Sequence, residues 1–321
     1  MIPILSDKKP GIYFLGSGQI GIESLSVLHS SDCVRLLGAG TQPDRPSGRK
    51  RLMSPTPVGQ WADEHSLELD KPVSVNAPDF LDKLRSLAPD IIFVVSFGQI
   101  LKREILELPG TACVNLHASL LPKYRGASPI AASLLNGDKV TGVTFMKMDE
   151  GLDTGPEYCC YEYRIGTERA DELETALGCL AAAHIEEVLL NVCFGELIEK
   201  QQDDSKATYA GKIRKSDGRI DWNEPAEVIL RKIRAYHPWP GAFFFYKLPN
   251  GREMKINVTD AAVQSGGTGS EPGATVFADK NGWGIAAGEG TLMIKLLKPE
   301  GKSEMTSAEF VRGRQELRAA T

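Results

Sequence analysis

Long apolar runs are absent from this 321-residue sequence, since none approaches the ~18 residues that a membrane-spanning helix needs. The opening residues, MIPILSDKKPG, contain neither the apolar centre of a secretory signal nor the Arg- and Ser-rich pattern of an organelle-targeting peptide. We therefore expect a soluble cytoplasmic protein with no membrane partner.

Cysteine is scarce, with six residues and no C-x-x-C pair. This excludes a disulfide-rich secreted domain and the common zinc-site spacings. Cys179, His184 and Cys193 are conceivable metal ligands, but their spacing also fits one helix face, and we expect no metal.

An acidic residue is missing where a dinucleotide-binding motif requires one. The stretch YFLGSGQIGIESL, residues 13–25, has glycines at 16, 18 and 21 in G-x-G-x-x-G spacing. Dinucleotide-binding folds place a carboxylate about 20 positions later, on the ribose. The nearest carboxylate after the next apolar run, Asp44, lies in a proline-bracketed loop. The motif therefore predicts a tight strand-to-helix turn with glycines at positive φ, and an NAD dehydrogenase is the least favoured function.

An excess of positive charge is also absent, because 37 Lys and Arg face 42 Asp and Glu, for a net charge of −5. This argues against a general nucleic-acid binder. The charge is uneven, however: residues 210–321 carry 17 basic and 13 acidic residues, net +4, and the remainder carries −9. A mildly basic C-terminal third indicates a surface for an anionic partner.

Apolar runs and helical periodicities alternate up to about residue 165. Strands are predicted over Ile12–Leu15, Val34–Ala39, Ile91–Val95, Ala112–Leu116 and Val143–Met148. Apolar residues at i, i+3, i+4 and i+7 predict helices around 58–65 and 80–87, and residues 168–197 predict a long helix or a helix pair. This pattern is typical of an α/β domain with a Rossmann-like parallel sheet covered by helices.

The pattern of apolar residues changes after the polar, aperiodic stretch EKQQDDSKATY at 199–209. Five short strand-like runs with Gly- and Pro-rich breaks follow, and then a helical segment, SAEFVRGRQEL. This pattern suits a small OB-like β-barrel. We predict a catalytic domain over 1–198, a linker over 199–208 and a C-terminal domain over 209–321.

The run CVNLHASLLPKYRG contains the strongest chemical signal. Asn115 and His117 alternate with Val114 and Leu116, which places both polar side chains on one face of a strand. The strand is followed by a loop at the carboxyl end of the sheet, where open α/β folds bind ligands.

Two motifs together, VNLHASLLPKYRGASPI and GVTFMKMDEGLDTGP, resemble the formyltransferase family that takes its one-carbon unit from 10-formyltetrahydrofolate. The resemblance implies that Asn115, His117 and Asp153 are catalytic. It also implies a folate site formed by six residues, namely Ser119, Leu120, Leu121, Pro122, Phe97 and Gly98.

Four further segments, TQPDRPSGRKRLMSPTPV, FVVSFGQIL, KIRKSDGRIDW and RAYHPWP, resemble the members of this family that act on initiator methionyl-tRNA. Together the resembling segments span nearly the whole chain. One departure stands near the start: the family usually has Gly-Thr-Pro after its first strand, where this chain has Gly16-Ser17-Gly18.

The three catalytic candidates suit acyl transfer from a formamide to an amine. The amide of Asn115 and an N–H of His117 can donate to the developing oxyanion, each such donor being worth ~10²–10³ in rate. Asp153 can orient His117 and help move the proton off the attacking nitrogen. Neither a metal nor a covalent nucleophile is required.

The loop 41–57 combines four prolines with a group of cations that we predict to contact tRNA, namely Arg45, Arg49, Lys50 and Arg51. By resemblance this loop enters the acceptor stem, with Arg49 in the key position. A second basic group begins the C-terminal domain: Lys212, Arg214 and Lys215 are predicted to contact phosphates, and Arg231, Lys232 and Arg234 follow them. The alternative for the loop is a solvated insertion, and the alternative for the second group is a solvated helix face.

Three alternatives stay open. The catalytic domain alone would also fit a formyltransferase for an amino-sugar nucleotide or a formyltetrahydrofolate hydrolase. A non-catalytic RNA-binding protein is the alternative of a different class. We expect a monomer that binds folate and tRNA.

Overall fold

The computed structural model describes residues 9–47, 52–266, 269–280 and 282–318. The chain divides into two compact units. The first contains the residues up to Pro129 together with Val140–Ile165 and Glu174–Ala210, and the second contains Ile130–Lys139, Gly166–Leu173 and the residues from Gly211 onward. Residues 199–208 thus lie in the first unit, and the predicted functional limits of the domains stay a prediction.

Alternating strands and helices form the chain up to Ala210. In order they are β1 (Gly11–Gly16), α1 (Ile22–Ser30), β2 (Arg35–Gly40), β3 (Arg45–Ser47), β4 (Leu52–Ser54), α2 (Pro57–Glu64), β5 (Leu69–Asp70), α3 (Pro78–Leu87), β6 (Ile91–Val95), α4 (Arg103–Leu106), β7 (Ala112–His117), β8 (Arg125–Gly126), α5 (Pro129–Asn136), β9 (Val140–Lys147), β10 (Glu157–Arg164), α6 (Ala170–Ala182), α7 (Ile185–Cys193) and β11 (Tyr209–Ala210).

The first unit contains a seven-stranded sheet in the order β10-β9-β7-β6-β1-β2-β5. Its strands are parallel except for β9, which is antiparallel to both neighbours. Strands β1, β6 and β7 are almost wholly buried, which is why they read as continuous apolar runs. The α/β prediction is confirmed. The sequence prediction omits strand β10, because this edge strand has no aliphatic run and its residues are partly buried or exposed.

The glycine motif after β1 forms the expected strand-to-helix turn, but the predicted positive φ is wrong. Gly18 has φ −81° and Gly21 has φ −83°. The glycines are required by close packing instead: a Cβ would lie 2.6 Å from Ser96 Oγ at Gly18 and 2.8 Å from a Val95 methyl at Gly21.

Antiparallel strands dominate the second unit. Its elements after Gly211 are α8 (Ala226–Ala235), β12 (Ala242–Lys247), β13 (Glu253–Gln264), β14 (Thr275–Asp279), β15 (Gly282–Ala286), β16 (Thr291–Pro299), β17 (Met305–Thr306), α9 (Ser307–Arg312) and α10 (Gln315–Arg318). The strand order is β12-β13-β16-β15-β14, with β17 beside β16. The five main strands and the following helix agree with the sequence prediction.

An aromatic cluster forms part of the core of the second unit. Trp283 stacks on Phe310 with ring centroids 5.6 Å apart, and Phe244 and Tyr246 contact Trp283 edge-on. The segment from α8 to α10 therefore buries a hydrophobic core of its own.

No single described helix is long and apolar enough to cross a membrane; α6 and α7 reach the required length and apolarity only as a pair, across a 48° bend.

Candidate active site

Strand β7 carries Asn115 and His117 to the carboxyl end of the sheet. Asn115 lies between Val94 of β6 and Met146 of β9, and His117 is paired with Thr144 of β9. The period of two places both side chains on one face, as predicted. His117 is buried and Asn115 is partly exposed. Within the part of the chain that the structure describes, no hydrogen bond engages the Asn115 amide, so that its N–H groups are available to a ligand.

The His117 ring is held in one tautomer by the backbone. Its Nε2 lies 2.9 Å from the carbonyl oxygen of Tyr124. A carbonyl only accepts hydrogen bonds, so Nε2 carries the hydrogen and donates it. Nδ1 lies 3.7 Å from Asp153 Oδ2, too far for a hydrogen bond but close enough for an ion pair when the ring is protonated. Nδ1 is therefore the ring atom left for chemistry.

Asp153 is placed by an unusual backbone conformation. Its φ of +53° lies in the left-handed region, which Asp tolerates better than most residues. The carboxylate accepts a 2.7 Å hydrogen bond from the Gly126 N–H, and the Asp153 carbonyl accepts one of 2.9 Å from Gln202 Nε2. The side chain is 18% exposed, against 6% for His117. The structure thus brings together Asp153 and His117, which lie on separate motifs.

Several residues around this pair carry no sequence signal. Tyr124 and Gly126 lie within the first quoted motif, but nothing in their residue types shows that their backbone groups bind His117 and Asp153. Gln202 lies in the polar stretch interpreted as a linker. Its aperiodic composition gave no reason to place it beside Asp153.

The six residues assigned to folate flank the same sheet edge, but two of their side chains are engaged in the protein. Ser119 is buried, and its hydroxyl donates to the carbonyl of Lys123 at 2.6 Å. Phe97 packs in the apolar core of the first unit. Gly98 has φ +81°, and an added Cβ would lie 2.8 Å from Gln42 Nε2. The side chains of Ser119 and Phe97 thus stabilise the loops, and the assignment of these residues to folate stays a prediction.

The remaining folate candidates form the loop after β7. Leu121 donates its N–H to Thr144 Oγ1 at 3.1 Å, and the Thr144 hydroxyl donates to the carbonyl of Ser119 at 2.7 Å. Thr144 therefore holds the loop of Ser119 to Pro122, which includes Leu120, against strand β9.

The departure at Gly16-Ser17-Gly18 has a structural consequence. The Ser17 hydroxyl donates to the Phe97 carbonyl at 3.1 Å and accepts from the N–H of Gln42 at 3.1 Å. Ser17 therefore joins the ends of β1, β2 and β6 at the edge that carries the site.

Of the proline-loop cations, Arg45 lies on β3 and is exposed, with its guanidinium donating to Gln42 Oε1 at 2.6 Å. Strands β3 and β4 form a two-stranded hairpin. Arg49, Lys50 and Arg51 lie outside the described residues.

The basic group of the second unit divides in two. Lys212, Arg214 and Lys215 are exposed, and none forms an ion pair with another described residue. In contrast, Lys232 pairs with Glu224, and Arg234 donates to the carbonyls of Glu168 and Gly166, both at 2.9 Å. Arg231 donates to the Asn136 carbonyl at 3.3 Å. The first three cations are free for a ligand, whereas the second three brace the fold.

Lys255 adds to the positive surface near the free group. Its ammonium lies 3.7 Å from the centroid of the Phe243 ring. Burial, and then the charge of Lys215, lower the pKa of Lys255. Positive charges that repel one another in this way form a favourable surface for a polyanion.

Over the described ranges, no group of three or more His, Cys, Asp or Glu residues has the arrangement of a metal site. A histidine and a carboxylate beside a free amide, at the carboxyl end of an α/β sheet, define a site for acid–base chemistry on a bound ligand.

Comparison with known proteins agrees with this class. A family model described as "Formyl transferase" matches residues 12–184, and one described as "Formyl transferase, C-terminal domain" matches 212–315. The chain belongs to the formyl transferase family, as the two motifs predicted.

Two similar relatives have the same name. Methionyl-tRNA formyltransferase of Geobacter sulfurreducens is 38% identical over 94% of this chain and 93% of its own. The protein of that name from Thermodesulfovibrio yellowstonii is 40% identical over 95% of this chain and 96% of its own.

Solved structures share the fold at low identity. The sugar 3N-formyl transferase WlaRD, crystallised with dTDP and 5-N-formyl-THF, has a TM-score of 0.62 and 18% identity, covering 92% of this chain and 100% of that one. HypX from Aquifex aeolicus, in complex with tetrahydrofolic acid, has a TM-score of 0.58 and 16% identity, covering 95% of this chain and 47% of that one.

Proposed function

We propose that this protein transfers the formyl group of 10-formyltetrahydrofolate to the amino group of methionyl-initiator-tRNA. The observation that carries the proposal is the arrangement of Asn115, His117 and Asp153, in which a free amide and a free ring nitrogen lie at the carboxyl end of the sheet. Relatives named methionyl-tRNA formyltransferase, at 34–40% identity over about 94% of the chain, support this choice of acceptor.

The chemistry is an addition followed by an elimination. The neutral amine of methionine attacks the formyl carbon, so that a C–N bond forms and the carbonyl electrons move to oxygen. The amide of Asn115 donates to that oxyanion, and so does Nδ1 of His117 when the ring is protonated. Asp153 supplies the compensating negative charge 3.7 Å from Nδ1.

Proton transfer completes the reaction. The attacking nitrogen loses a proton to the pair formed by His117 and Asp153, and the pair returns one to N10 of the folate as the bond between N10 and the formyl carbon breaks. The products are N-formylmethionyl-tRNA and tetrahydrofolate. Because the Nε2–H of His117 is bonded to the Tyr124 carbonyl, protons are exchanged only at Nδ1 and at the Asp153 carboxylate.

The folate would bind along the loops of Phe97, Gly98 and Ser119 to Pro122. The tRNA would contact the cations of the proline loop and the free group Lys212, Arg214 and Lys215. The two basic regions neutralise phosphates, which gives affinity without reading sequence. A cytoplasmic monomer is the form that we expect.

One assay with three acceptors tests the proposal. The protein is incubated with 10-formyltetrahydrofolate and either methionyl-initiator-tRNA, a dTDP-amino sugar or no acceptor, and the formylated product and free formate are measured. We expect rapid formation of the N-formyl ester with the tRNA only. Preferred formylation of the sugar or release of formate without acceptor would indicate the other enzymes of this class, and no turnover with any acceptor would favour a non-catalytic RNA-binding protein.

A further inference from the structure

Residues 199–210, which we call the strap, are hydrogen-bonded along the catalytic unit. Lys200 pairs with Glu157 through both backbone bonds, at 2.8 and 2.9 Å. Tyr209 and Ala210 form β11, which is parallel to β8. Between these two attachments, the side chains of Gln202 and Thr208 reach the backbone beside the catalytic residues.

Gln202 holds the turn that carries Asp153. Its Nε2 donates to the carbonyls of Asp153 at 2.9 Å and Gly155 at 2.7 Å, which uses both amide hydrogens. Its Oε1 accepts from Nε and Nη2 of Arg125, at 3.0 and 2.8 Å. Because Arg125 only donates and the carbonyls only accept, the orientation of the Gln202 amide is unambiguous.

Arg125 holds the Gln202 amide in place. It is one of the largest fully buried side chains, 2% exposed, and also pairs with Asp204 of the strap at 2.7 Å. Asp153 has positive φ, a conformation that persists only where its surroundings hold it. The bond from Gln202 to the Asp153 carbonyl is one of these restraints.

Thr208 acts on the other catalytic residue through Tyr124. Its Oγ1 accepts the Tyr124 N–H at 2.8 Å, and the Tyr124 carbonyl accepts the His117 Nε2–H at 2.9 Å. Tyr124 also has positive φ, +61°. The side chains of Gln202 and Thr208, the two arms of the strap, thus end on the backbone of Asp153 and on the backbone of Tyr124, the residue whose carbonyl accepts from His117.

We propose that Gln202 and Thr208 are positioning residues for formyl transfer, with Gln202 acting through Asp153 and Thr208 through His117. This inference rests on the proposed function. It gives the strap a part in setting the geometry of the reacting groups, in addition to joining two segments of the chain.

The test of the first arm is the isosteric change Gln202→Glu, which places an acceptor oxygen against two carbonyls. We expect kcat for tRNA formylation to fall ~10²-fold, the cost of a displacement of about 1 Å, while KM for folate and for tRNA changes less than about threefold. The matched control is Gln60→Glu, the same change at an exposed glutamine that contacts Glu64, and it should leave kcat unchanged.

A double-mutant cycle separates positioning from general destabilisation. If Gln202 acts through Asp153, then Gln202→Ala should add no further loss of kcat to Asp153→Ala. Losses that multiply in the double variant would overturn the inference. Full turnover of Gln202→Glu beside an impaired Asp153→Ala would overturn it as well, leaving the proposed function intact. Full turnover of Asp153→Ala would overturn the proposed mechanism itself.

The second arm is tested at Thr208, which remains available if Gln202 variants do not fold. Thr208→Val keeps the shape and removes the acceptor, and we expect kcat to fall about three- to tenfold, the effect of one hydrogen bond. Thr208→Ser should restore it. Equal kcat in the Val and Ser variants would overturn this arm.

Discussion

Gly126 is the position where a single methyl group should damage both the fold and the site. Its φ is +114°, and an added Cβ would lie 2.6 Å from the carbonyl oxygen of Ala210. That oxygen is fixed, because it accepts the N–H of Ala127 at 2.8 Å. The Gly126 N–H in turn donates to Asp153 Oδ2 at 2.7 Å. Neither partner can move away without breaking a hydrogen bond.

The expected cost of Gly126→Ala follows from these contacts. Backbone strain at such a φ costs about 1–3 kcal/mol, and the backbone clash adds to it, so we expect a loss of roughly 3 kcal/mol in the free energy of unfolding. Displacing the Gly126 N–H also weakens a bond to a charged group, worth about 1.5–3 kcal/mol. Turnover should therefore fall by about 10²-fold.

Gly195→Ala is the matched control. Gly195 has φ +72° and no atom within 4 Å of an added Cβ, so this variant carries backbone strain alone. We expect a loss of about 1 kcal/mol and unchanged turnover. Urea unfolding followed by circular dichroism measures both free energies, and the formylation assay measures kcat. A Gly126→Ala protein as stable and as active as Gly195→Ala would refute the reasoning.

Three further predictions concern the catalytic pair, the basic surface and a buried thiol. His117→Ala and Asn115→Ala should each lower kcat by ~10²-fold with nearly unchanged tRNA affinity, and near-normal turnover would exclude their role at the oxyanion. The double variant Lys212→Ala/Lys215→Ala should weaken tRNA binding and reduce the slope of log affinity against log salt by about one to two. The control Lys232→Ala should leave the slope unchanged, because the ammonium of Lys232 is paired with Glu224. Burial raises the pKa of Cys113 to about 12, so only about 10⁻⁴ of this thiol is thiolate at pH 8. Iodoacetamide should therefore label the exposed Cys33 but not Cys113 in the folded protein, as measured by mass spectrometry.

Local periodicity was sufficient for most of the architecture. Strands β1, β6 and β7 are buried on both faces, and so they appear in the sequence as apolar runs within two residues of their observed bounds. The edge strand β10 has no buried residue and no aliphatic run, so periodicity does not predict it. The sequence predicts the glycine turn but attributes the glycines to positive φ, which is wrong. They are required by close packing against Ser96 and Val95, which lie about 75 positions away in the chain.

The same division applies to the site. The sequence by itself determined that Asn115 and His117 share a face at the end of a strand, because that follows from a period of two residues. Only the resemblance placed Asp153 with them, and only the tertiary structure showed how the three are held. Asp153 is restrained by hydrogen bonds donated by the Gln202 amide and the Gly126 N–H, and His117 by the bond that its Nε2–H donates to the Tyr124 carbonyl. A backbone hydrogen bond is made by any residue type, and a polar, aperiodic stretch carries no repeat to interpret, so these restraints depend on chain packing that no local pattern encodes.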